Sequence, residues 1–74
     1  MKLNLTQLDQ TAKLMHHLDD IVIDWTITCD DVEIITSRFK IIIPIATLNI
    51  FTTSTSLEIY DAIYTRFLLI LENN

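Results

Sequence analysis

Not one of the 74 residues is glycine, and that absence constrains this chain more than any motif it contains. Glycine adopts left-handed backbone at little cost, so tight hairpin turns and phosphate-binding loops lean on it. GxGxxG, the Walker-type loop and the nucleophile elbow are all missing, which argues against nucleotide-dependent chemistry of the familiar kinds. Wherever the chain reverses direction, it has to do so with ordinary residues.

The reversal that matters lies in IVIDWTITCDDVEIITSRFKIII, from Ile21 to Ile43. Ile21, Ile23, Trp25, Ile27 and Cys29 alternate with Val22, Asp24, Thr26 and Thr28, the period and β-branched content of a strand. In the return segment Ile35, Ser37, Phe39, Ile41 and Ile43 share one face, opposite Ile34, Thr36, Arg38 and Lys40. A loop of Asp30-Asp31-Val32 pairs Ile27 with Ile35, Ile23 with Phe39 and Ile21 with Ile41, and a longer loop over 30–34 keeps the same faces. A two-residue Asp30-Asp31 loop mixes the faces and favours the missing glycine, so the sequence predicts the longer connection. Pro44 has no N–H to donate and marks a bend or an edge. Ile45 to Phe51 then reads as a third strand, with Ala46, Leu48 and Ile50 on one face.

Helices flank this region. Asn4 with Gln7 forms a capping box, Leu3 is placed to staple Leu8, and Thr6 with Asp9 is a competing start. Leu5, Leu8, Ala12, Met15 and Leu18 recur at helical spacing as the apolar face, while Gln7, Gln10, Lys13 and His17 fall mostly away from it. Asp19-Asp20 ends the pattern. After the polar TTSTS, Thr55 with Glu58 opens a second helix. Its main stripe is Tyr60, Ile63, Tyr64, Phe67, Leu68 and Leu71, with Ile59, Ala62, Leu69 and Ile70 carrying apolar character round most of the rest. A helix apolar nearly all round is buried on more than one side. The fold class that follows is α+β, a small antiparallel sheet of two to three strands in the order α-β-β-β-α, as one domain over 1–74. The sheet face carrying Asp24, Thr26, Thr36, Arg38 and Lys40 is the one expected to meet water or a partner.

Half of the residues are hydrophobic, including thirteen Ile and ten Leu. A chain this short buries only about 60–65% of its unfolded surface, so apolar side chains are left over for association. The second helix is where they emerge, and the expected contact is Ile59, Tyr60, Ile63, Tyr64, Arg66, Phe67 and Ile70, with the tyrosines as anchors. Trp25 is expected in the core.

The formal net charge is −5, and the bases Lys2, Lys13, Arg38, Lys40 and Arg66 are scattered. That disfavours direct nucleic-acid binding and docking to anionic lipid, and suits a basic protein partner. Asp19, Asp20, Asp24, Asp30, Asp31 and Glu33 form a candidate acidic patch along the hairpin. They offer no pair of contrasting environments for acid–base catalysis. His16 or His17 with Asp20 makes too small a ligand set for a metal, and Cys29, beside two carboxylates, lacks the positive surroundings of a reactive thiol. No cofactor, metal site or enzymatic activity is expected.

The single Cys29 suits a reducing compartment. LNLTQLDQ is too polar for a signal-peptide core, and IIIPIATLNIF is shorter than the roughly 20 apolar residues of a spanning helix. The expected location is cytoplasmic, away from the membrane. Gly, Ala, Arg and Pro together number six, against twenty-seven Phe, Tyr, Met, Ile, Asn and Lys, a skew that points to an AT-rich genome. Together these features describe a small acidic non-enzymatic interaction protein that acts by occupying a surface of another macromolecule, such as a homodimeric inhibitor of a host macromolecule carried by a phage or mobile element. The alternative is a small subunit or assembly factor of a larger complex.

Overall fold

The computed structural model describes residues 1–73. Helix α1 spans Leu5–Leu14 and tightens into a 3₁₀ turn at Met15–His17. Strands β1 (Val22–Ile27), β2 (Asp31–Thr36) and β3 (Lys40–Pro44) follow, then a second 3₁₀ turn at Ile45–Thr47 and helix α2 at Ser56–Glu72. The sheet is antiparallel, in the order β1-β2-β3. The order α-β-β-β-α is therefore as read from the sequence, but the strands are cut differently.

The third strand is Lys40–Pro44, and the segment expected to supply it is a 3₁₀ turn followed by an irregular connection. Pro44 ends β3 on an edge, where its missing N–H leaves no ladder bond unmade. Its carbonyl accepts the Thr47 hydroxyl at 2.7 Å, which turns the chain. Ile45, Leu48 and Ile50 are buried here, while Ala46 is exposed.

The first hairpin connection is shorter than expected, Ile27 pairing with Val32 and leaving Cys29-Asp30 as the tip. The return segment, expected as one strand through Ile43, is broken at Ser37-Arg38, where β2 turns back into β3. No described residue has a positive φ, which excludes the primed turns that glycine favours. A threonine opens each turn instead. The Thr28 N–H donates to the Asp31 carbonyl at 2.9 Å, and its Oγ1 accepts the N–H groups of Asp30 and Asp31 at 3.2 and 3.0 Å. The Thr36 N–H donates to the Phe39 carbonyl at 2.9 Å, while its Oγ1 accepts Arg38 and Phe39 N–H at 3.3 and 3.2 Å. The hydroxyl gathers amides that a glycine turn would have aimed elsewhere.

These turns reset the faces. Val32, Ile34 and Thr36 point into the core with Ile41 and Ile43, and Ile35 joins the outer face. Thr36, expected on the wet face, is buried because its hydroxyl serves the turn. A bulge between Val22 and Asp24 makes a further switch. It turns Val22 inward and leaves Ile23 68% exposed, so of the inward row expected on β1 only Trp25 and Ile27 pack against the core.

Helix α1 starts at the Asn4–Gln7 capping box, with Asn4 Oδ1 accepting the Gln7 N–H at 2.8 Å and Gln7 Oε1 accepting the Asn4 N–H at 3.0 Å. It is rolled relative to its apolar stripe. Gln7, Thr11, Met15 and Leu18 face the core, and Leu5 is 77% exposed. The amide explains the roll, since Gln7 Nε2 also reaches the carbonyls of Phe51, Thr52 and Ser54 at 3.5, 3.2 and 3.1 Å. A buried polar group that satisfies several partners is tolerated, and this one clasps the approach to α2. Helix α2 begins at its own box, Thr55 Oγ1 accepting the Glu58 N–H at 3.2 Å and Glu58 Oε1 the Thr55 N–H at 2.9 Å. Ile59, Ile63 and Phe67 are wholly hidden against the sheet's inner face and α1.

Candidate interaction surface

Helix α2 divides its length between core and surface. Ile59, Ile63 and Phe67 each have 0% exposure, so three of the residues expected in a subunit contact belong to the core of a single chain. One face of the stripe is swallowed; its flank is not. Leu57 is 65% exposed and Leu68 37%, with half-buried Tyr60, Tyr64 and Leu71 between and beside them at steps of three and four residues. The tyrosine rings meet edge to face, centroids 6.1 Å apart at 65°. Burial pushes the Tyr60 hydroxyl above the ordinary tyrosine pKa, and the neighbouring Tyr64 adds to the shift, so Tyr60 stays neutral well into alkaline solution.

Arg66 is occupied. Its guanidinium donates to the Thr47 hydroxyl at 3.1 Å and the Thr47 carbonyl at 2.9 Å, tying α2 to the second 3₁₀ turn. Ile70 is half-buried and packs against the core. On that side Leu48, Ala62, Arg66 and Leu69 border a shallow groove of about 240 Å³. Sequence reasoning passed over Leu57, because it precedes the stripe by one step. The signal available was its position i−7 from Tyr64.

The six carboxylates expected as a patch are dispersed. Asp19 and Asp20 stand before β1, Asp30 and Asp31 lie at the far tip of the hairpin, and Asp24 and Glu33 lie on the sheet's outer face. A six-residue strand spans about 20 Å, twice the screening length in ordinary buffer. Two are paired with a cation besides, Asp30 with Lys2 and Glu33 with Lys40, both at 3.4 Å, and Asp31 Oδ1 accepts the Thr28 hydroxyl at 3.2 Å.

Cys29 is half-buried at the hairpin tip, where its carbonyl accepts the Leu3 N–H at 2.9 Å. The His16 and Trp25 rings meet in a T-shaped contact, centroids 5.2 Å apart at 75°. Among the described residues no group of three or more His, Cys, Asp or Glu is placed to hold a metal ion, and no helix is long and apolar enough to cross a membrane. Neither a family model, nor a curated protein, nor a solved structure matches the chain.

Proposed function

We propose that this chain is a non-enzymatic protein–protein interaction module, self-associating through the Leu57–Tyr60–Tyr64–Leu68 flank of α2 and acting by occupying a surface of another macromolecule, as an inhibitor does. The observation that carries the reading is a line of exposed Leu57 and Leu68 and half-buried Tyr60 and Tyr64 on a helix whose neighbouring face is already satisfied. Aromatic residues with a polar tip and flanking leucines are the usual anchors of such contacts. Two copies each carrying −5 repel one another, so the dimer should tighten as salt rises.

Light scattering coupled to gel filtration tests this directly. The wild type should run as a dimer in the micromolar range, and Leu57→Arg/Leu68→Arg should run as a monomer with an unchanged far-UV spectrum. A wild type that stays monomeric at high micromolar concentration overturns the reading. The subunit alternative draws on a different observation, the exposure of Ile23 and Ile42 on the sheet's outer face together with Leu5 and Phe51. It expects large mixed species when the chain is made alone.

A further inference from the structure

Between the 3₁₀ turn after α1 and the bulged start of β1 lies a cleft of about 400 Å³, lined chiefly by His16, Asp19, Val22, Ile23, Asp24 and Trp25. The interaction reading of α2 uses none of these residues. Asp19 spends Oδ1 on the Ile21 N–H at 3.1 Å, and Asp24 spends Oδ1 on the Trp25 N–H at 2.9 Å. Each carboxylate thereby has one oxygen engaged by a neighbouring amide, and neither is in an ion pair among the described residues. No lysine or arginine lines the cleft. Trp25 forms a wall, in T-shaped contact with the His16 ring.

The strand edge itself is closed to an added strand. The bulge at Ile23 breaks the regular spacing of β1, and the Trp25 N–H is already taken by the preceding side chain. What fits is a side chain, and an aromatic wall flanked by two carboxylates calls for a cation with a flat face. A guanidinium stacks on indole while its spread donors reach two separate acceptors. A lysine ammonium is more strongly hydrated and cannot stack, so a half-open cleft favours it less.

We propose that this cleft holds the guanidinium of an arginine presented by a protein partner, seated on Trp25 and paired with Asp19 and Asp24. The proposal rests on the interaction reading above and adds the chemistry of the partner.

Trp25 is the chain's single tryptophan, so its fluorescence reports this cleft alone. The full chain is titrated with a hexa-arginine peptide and, separately, with hexa-lysine at low salt. Hexa-arginine should give a saturable change, and hexa-lysine should bind at least about tenfold more weakly. Asp19→Asn/Asp24→Asn retains both Oδ1 acceptors and hence the local fold, and should weaken hexa-arginine by about tenfold or more. The single Asp24→Asn, checked by far-UV circular dichroism, serves should the double variant lose structure. Asp30→Asn/Asp31→Asn, at the hairpin tip, should change affinity by less than about twofold. Equal binding of the two peptides, an equal loss in the tip variant, or no saturable response up to millimolar peptide overturns the proposal. A dimer that dissociates on Leu57→Arg/Leu68→Arg while the peptides leave Trp25 unchanged removes the cleft reading alone. A monomeric wild type that still discriminates arginine removes only the self-association.

Discussion

The two helices solve the same problem with opposite chemistry. Helix α2 hides hydrocarbon, with Ile59, Ile63 and Phe67 sealed from solvent while Leu57, Leu68 and Leu69 stay outside. Helix α1 hides an amide and a hydroxyl, Gln7 and Thr11, and gives Leu5 to water. Hydropathy decides which face of α2 turns inward because nothing polar competes there. In α1 a single side chain with three distant carbonyl partners outweighs a leucine at the helix start. The lesson is that an apolar stripe sets a helix's orientation only where no specific hydrogen bond has already set it.

The largest break in that contrast comes from Phe67→Ala. Removing a fully hidden phenyl ring costs about 3–5 kcal/mol, against a total of about 4–11 kcal/mol for a chain of this length. Urea denaturation followed by circular dichroism should show the midpoint lowered by the equivalent of about 3–5 kcal/mol, which takes most of the stability of a chain at the lower end of that range. A loss below about 1 kcal/mol would mean that the core collapses around the gap, and that α2 is not the fixed wall described above.

Next in size is Gln7→Leu, which supplies the hydrocarbon that a stripe-based reading would prefer. It removes half of the capping box and strands the carbonyls of Phe51, Thr52 and Ser54. A loss of about 2 kcal/mol is expected in spite of the gain in hydrophobicity. Neutrality would show that the roll of α1 has another cause.

What the sequence disclosed follows the same division between local and distant causes. Both capping boxes were legible because each is complete within three residues, and helix α2 itself was legible from its period, though not which of its apolar residues are buried. The roll of α1 was not, since it depends on contacts 44 to 47 positions away. The strand count survived while the register failed, because the turn signal sought was glycine and the chain uses Thr28 and Thr36. Once those turns are placed, the inward change from Ile35 to Ile34 follows from parity alone. The bulge at Ile23 left no compositional mark. The surface reading erred in the same way: it took Ile59, Ile63 and Phe67 for contact residues by placing the overflow on the whole helix, when the face that carries them is buried and only the flanks beside it are exposed.

Thr11→Val sharpens the contrast within α1. Unlike Gln7, the Thr11 hydroxyl is fully buried with no hydrogen-bond partner among the described residues. Replacing it with a methyl group of the same shape relieves an uncompensated desolvation. The variant should be as stable as wild type or more stable by about 1 kcal/mol, read from the urea midpoint. A destabilised Thr11→Val would show that the hydroxyl has a partner in solution, such as a buried water.

The smallest effect compares the two caps. Both helices carry the same reciprocal box, but α1 closes its own with the neutral Gln7 and α2 with the ionisable Glu58. Hydrogen bonds from the Thr55 backbone and then its side chain hold the Glu58 carboxyl below its ordinary value of 4.5. A depressed carboxyl pKa contributes stability that is present above the unfolded value and is lost as pH falls through the folded one. The α2 cap should therefore weaken below about pH 4.5, while the α1 cap is indifferent to acid. Thermal unfolding of wild type and Glu58→Gln should show a small deficit for the variant at pH 7 that narrows as pH falls below 4.5. A deficit that persists unchanged at pH 3 would locate the difference in side-chain packing at the start of α2, and the charge of Glu58 would then have no part in the cap.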